Sequence, residues 1–166
     1  MLRDKSLIPL SRQHQHALAL CVRIDRASPI PDSDLVAWQT EITQLCQTEI
    51  EIHFAAEEHV LFPEASRFEE LVPLVEELAG DHVDLRAKFA KAEAHNLSAP
   101  DLSDVAQRFA IHIRKEERQL FERLQQLLTQ EELALLGKHL DAALKEAAQA
   151  CILPTDATRL KPSTLT

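Results

Sequence analysis

The chain has 166 residues, 45% of them hydrophobic, with 2 glycines, no tyrosine and a formal charge of −9 from 27 acidic against 18 basic residues. That length suits one domain with a real core. Glycine poverty argues against a β-rich fold with many tight turns, and the lack of a basic excess argues against nucleic acid as a partner. No stretch approaches the roughly 20 apolar residues of a membrane span. The opening MLRDKSLIPLSRQ has no long apolar run and is not a secretory signal. Cys21, Cys46 and Cys151 form an odd, widely spaced set without CxxC. The set argues against a disulfide scaffold and for a reducing, cytoplasmic setting.

The elements read in chain order. Leu10, His14, Leu18 and Cys21 mark the inner face of a first helix, which Ser28-Pro29-Ile30-Pro31-Asp32-Ser33 ends. Trp38, Ile42, Leu45, Ile52, Ala56 and Val60 mark a second, closed by a softer break between Pro63 and Pro73. The third carries Leu74, Leu78, His82, Leu85 and Phe89 and stops at NLSAPD, residues 96–101, where Pro100 and Asp101 open the fourth. The fourth presents Val105, Phe109, His112, Ile113, Leu120 and Leu124. Thr129 with Glu132 makes a capping box for a shorter fifth helix, about Glu131 to Ala148, expected to pack across the others. The expected fold is all-α: an up-down antiparallel four-helix bundle with a short additional C-terminal helix. One domain spans 1–153, and 154–166 reads as a flexible tail.

The chemistry lies in a repeat. His53 to Phe62 and His112 to Phe121 both read HxxxEExxLF, 59 residues apart. Residues i and i+4 of a helix share a face, so His53 with Glu57, and His112 with Glu116, each aim an imidazole and a carboxylate one way. His14 and His82 lie on the inner stripes of helices one and three. In antiparallel neighbours, level residues have their sequence midpoint at the connecting turn. The midpoints of 14 and 53, 53 and 82, and 82 and 112 are 33.5, 67.5 and 97, all in or beside the expected breaks. The four histidines should therefore form one layer, with Glu57 and Glu116 displaced from it by about 6 Å along the axis.

A lone histidine on an apolar face is more often a satisfied core residue than a ligand. Four level ones beside two inward carboxylates are not, because burying them without a compensating charge is costly. His14, His53, Glu57, His82, His112 and Glu116 are therefore the candidate metal ligands. Imidazole with carboxylate suits iron, zinc or manganese, and the absence of cysteine ligands argues against an iron–sulfur cluster. If both carboxylates bridge two metals, each metal gains two imidazoles and two oxygens, with positions left open for water, oxygen or peroxide.

The order H, HxxxE, H, HxxxE, in SRQHQHAL, HFAAEEHVLFP, GDHVDLR and HIRKEERQLF, resembles the hemerythrin-like HHE cation-binding family from about Ser11 to Leu128. The resemblance implies two iron ions in a non-haem, carboxylate-bridged centre, with reversible oxygen binding or the sensing of iron and oxygen. It also exposes two departures. Oxygen-carrying hemerythrins have an aspartate five residues after the fourth-helix histidine, where this chain has Glu117, which makes Glu117 a rival to Glu116. They have a further histidine one turn along helix three, where this chain has Arg86. Glu58 lies at the edge of the ligand face. His16 and His59 point away from it, His95 is too near a loop, and His139 reads as structural. The leading expectation is a di-iron protein that binds or senses oxygen, related oxidants or iron, rather than an enzyme. A di-iron oxidase or peroxidase and a helical interaction module with a vestigial site are the alternatives, and a homodimer through the fifth helix stays open.

Overall fold

The computed structural model describes residues 2–145, and among these the chain is all-helical with no strand. Helix α1 spans Ile8–Ala27. Helix α2 runs from 35 to 65, its α-helical stretches Leu35–Leu45, Glu51–Ala56 and Phe62–Ala65 joined by π-helical turns at Cys46–Ile50 and Glu57–Leu61. Helix α3 spans Val72–Glu93. Helix α4 runs from 99 to 127, with a π-helical turn at Glu116–Leu120 between Ala99–Lys115 and Phe121–Leu127. Helix α5 spans Gln130–Ala143. Helix α5 ends at Ala143 with Leu144 as its cap, short of the expected Ala148; residues 146–148, Cys151 and the expected tail at 154–166 lie outside the described residues. No helix of the described residues is long and apolar enough to cross a membrane.

Local chemistry sets the helix ends. Pro9, Pro73 and Pro100 sit in first turns, where a missing N–H loses no bond. Thr129 and Glu132 form the expected capping box of α5. A second box opens α4, with the Ser98 hydroxyl accepting from the Asp101 N–H and the Asp101 carboxylate accepting from the Ser98 N–H. Ser98 lies within the NLSAPD break and adds this cap to the Pro100 and Asp101 signals.

Helix α1 lies against α4, α2 against α3, and α3 against α4, while α5 packs on α2. Their buried side chains form two apolar clusters. One holds Ala17, Leu20, Phe54, Leu85 and Ile113; the other holds Leu10, Leu61, Leu78, Leu120 and Phe121. Along α1 and α3 the chain passes from the second cluster to the first, and along α2 and α4 from the first to the second. His14, His53, Glu57, His82, His112 and Glu116 fall at the junctions.

Four residues expected in the core, Leu18, Ile52, Val60 and Leu74, are only partly buried. In α2 the cause is the pair of π-helical turns. Each bonds i to i+5 and inserts one residue into the turn, which rotates everything after it. The buried stripe therefore steps from Leu45 to Ile50 and Phe54, and then from Glu57 to Leu61, instead of through Ile52 and Val60.

The two glycines make opposite demands. A Cβ on Gly137 would stand 2.8 Å from the Ser6 Cβ and 3.0 Å from its Cα, whereas one on Gly80 meets nothing within 4 Å. Gly137→Ala should destabilise the fold by about 1–3 kcal/mol through overpacking. Gly80→Ala, inside α3, should stabilise it by about 0.5–1 kcal/mol. Urea denaturation of the two variants checks both signs.

Candidate metal centre

The structure brings all six candidate side chains together, and each is almost wholly removed from solvent. The Nε2 atoms of His14 and His53 lie 3.0 Å apart, and those of His82 and His112 lie 3.2 Å apart. Glu57 reaches both pairs: its Oε1 is 3.2 Å from His53 Nε2 and 3.8 Å from His14 Nε2, and its Oε2 is 3.4 Å from His82 Nε2. Glu116 does the same, with Oε2 3.2 Å from His14 Nε2 and 3.3 Å from His112 Nε2, and Oε1 3.9 Å from His82 Nε2. Two groups able to hold a cation result, His14, His53, Glu57 and Glu116, and His82, His112, Glu57 and Glu116. The two carboxylates belong to both.

These carboxylates are the test of whether a cation fits. Among the described residues, the buried side-chain polar atoms without a hydrogen bond are Trp38 Nε1 and all four oxygens of Glu57 and Glu116. The imidazole Nε2 atoms stand 3.2 to 3.9 Å from those oxygens, at ion-pair distances. A carboxylate buried without a partner costs several kcal/mol, and divalent cations among these donors remove that cost. The residues fit the metal.

The outer side of each imidazole is also fixed. The Nδ1 atoms of His14, His53, His82 and His112 meet Glu117 Oε1 at 2.7 Å, Gln13 Oε1 at 2.9 Å, Glu58 Oε1 at 2.8 Å and Asp81 Oδ2 at 3.3 Å. Carboxylate and amide oxygens only accept, so Nδ1 is the donor in every case and Nε2 is left to face inward. Glu117 therefore lies on the far side of His14 from the cluster, held by Arg3 and Ser11 as well. Glu58 is likewise outside, bound to Arg86 at 2.6 Å. Arg86 also lies over the Phe54 ring.

The repeat now has a structural account. In both copies the histidine and first glutamate turn inward, and a π-helical turn starts at that glutamate. The second glutamate accepts from a histidine on another helix, His82 for Glu58 and His14 for Glu117. The final phenylalanine stacks on that same histidine, Phe62 on His82 at 5.3 Å and Phe121 on His14 at 5.5 Å. Phe54 adds a closer stack on His82, at 3.7 Å and 12°.

Sequence reasoning missed Gln13 and Asp81 as histidine partners. The available signal was their place immediately before His14 and His82. His16 is well exposed and bonds Glu49 at 3.0 Å, and His59 bonds its own helix at the Ala55 carbonyl. His95 and His139 are exposed as well.

The buried charges shift one another. Burial alone would lower the pKa of His14, but Glu116 and Glu117 beside it win and push it up to about 10. Burial would raise Glu57, yet the neighbouring His53, His82 and His14 hold it well below the ordinary carboxylate range. Glu117 is depressed to about 2, because its bonds to His14 and Ser11 and the charge of Arg3 outweigh its burial. His82 is raised against its burial, chiefly by Glu57.

A search of family models matches residues 9–124 to the hemerythrin HHE cation-binding domain, and the chain belongs to that family. Comparisons with curated proteins and with solved structures return no match.

A cation at His14 Nε2 must displace the proton that this imidazole holds at neutral pH. Below about pH 10 the protonated form competes with metal, so apparent affinity should rise with pH up to that value. Calorimetry at pH 8 in buffers of different ionisation enthalpy should show proton release on metal uptake. His14→Ala should reduce that release by about one proton.

Proposed function

We propose that this chain is a non-haem di-iron protein that binds or senses oxygen, related oxidants or iron itself, in an up-down antiparallel four-helix bundle carrying a fifth helix. The alternating order of the two apolar clusters along α1 to α4 supports that topology. One observation carries the functional reading: two histidine pairs share two fully buried carboxylates that have no hydrogen bonds.

In this reading His14 and His53 would hold one ion and His82 and His112 the other, with Glu57 and Glu116 available to both. Bound there, an iron pair supplies reversible redox chemistry and coordination positions beyond those the protein fills. Glu57 and Glu116 place two negative charges where the cations sit. The four Nδ1 bonds fix ring orientation before any ion arrives, which reduces the ordering that binding requires. Phe54, Phe62 and Phe121 cover the rings and keep water from them. Iron accords with the donor set and the family, although zinc and manganese are served by the same ligands. A reducing, cytoplasmic compartment is part of the proposal, and the odd, widely spaced set of three cysteines supports it.

Protein loaded with iron and purified in air should contain about two irons per chain and absorb in the charge-transfer region of bridged di-iron centres. Protein that stays colourless and metal-free after iron supplementation would contradict the proposal. His53→Ala and Glu57→Ala should each lower occupancy while the helical circular dichroism persists. Undiminished metal in either variant would take that residue out of the ligand set.

A further inference from the structure

The centre has an approximate two-fold pattern that extends beyond the ligands. On each side the residue preceding a histidine on α1 or α3 accepts from the histidine of a repeat: Gln13 serves His53, and Asp81 serves His112. On each side the second glutamate of a repeat accepts from the other histidine, Glu117 serving His14 and Glu58 serving His82. Each outer carboxylate has its own cation: Arg3 on Glu117, Arg86 on Glu58, and Lys115 on Asp81. Among these four acceptors the pattern departs from symmetry in charge at one place. Asp81 is a carboxylate and Gln13 is a neutral amide.

We infer that this single difference makes the two halves of the centre unequal, so that the His82 and His112 half takes a divalent cation before the His14 and His53 half, with Gln13 and Asp81 as the positioning residues that set the order. The inference rests on the ligand assignment proposed above. A carboxylate accepting from Nδ1–H draws that proton toward itself and makes Nε2 a better donor to a metal, whereas an amide oxygen does so less. One half has two imidazoles so strengthened and the other has one. Loss of such an outer partner lowers metal affinity by about 10–100-fold, so a preference of about ten-fold is expected. Both halves share Glu57 and Glu116 and have two imidazoles each, so the ligands themselves supply no such difference in number or kind.

The test uses the full chain labelled with 15N-histidine and titrated with zinc, a diamagnetic ion that reports ligation without turnover. Up to one equivalent, the Nε2 resonances of His82 and His112 should move to metal-bound positions ahead of those of His14 and His53, which follow with the second equivalent. Asp81→Asn, at a partly exposed position, should abolish the preference by giving each half one amide. Gln13→Glu combined with Asp81→Asn should reverse it. Movement of His14 and His53 first in the unaltered chain, or an order untouched by Asp81→Asn, would overturn the inference while leaving the ligand assignment standing. If none of the four Nε2 resonances moves with zinc or with ferrous iron, the ligand assignment falls and the inference with it.

Discussion

Two carboxylates, Glu57 and Glu116, are buried completely between four imidazoles without a hydrogen bond to any of their oxygens. The organisation of the rest of the molecule follows from what those charges require. In an apolar interior they are tolerable only beside positive charge. Protons on neighbouring imidazoles supply some, as the elevated pKa of His14 shows, and metal cations would supply more. The apolar clusters on either side exclude water and enforce that requirement.

The helices meet the requirement through two layers of contact. The inner layer converges from α1 to α4 on one level. The outer layer ties each ring back to a different helix: His14 of α1 to Glu117 of α4, His53 of α2 to Gln13 of α1, His82 of α3 to Glu58 of α2, and His112 of α4 to Asp81 of α3. The four bonds run in a ring around the bundle, so the features that orient the candidate ligands also join the helices. The cost of this arrangement is backbone regularity. Both repeats depart from α-helical geometry at the inward glutamate, and π-helical turns are commonly found at such functional positions.

Much of this was legible in the sequence. Prolines and the Thr129 capping box marked the breaks, and the helical period carried the inner faces. Equal spacing about the turns placed the four histidines in one layer. The limits were equally physical. A period of 3.6 residues cannot anticipate an inserted residue, so Ile52 and Val60 were expected inside when the turns at Cys46–Ile50 and Glu57–Leu61 bring Ile50, Phe54 and Leu61 there instead. The helical period favoured Glu116, and the family resemblance made Glu117 its rival. Adjacent residues differ by one step around the helix, and only the neighbouring helices decide which faces the cluster. Gln13 and Asp81 escaped notice because their role depends on a partner 40 or 31 residues away.

Six side chains from four helices are proposed to hold two metal ions between shared carboxylates. Anomalous diffraction from iron-loaded crystals, recorded on both sides of the iron absorption edge, tests it most directly. Two peaks should appear, one bounded by His14 and His53 and the other by His82 and His112, with Glu57 and Glu116 lying between them. A lone peak, or density centred on Glu58, Glu117 or His16, would contradict the account.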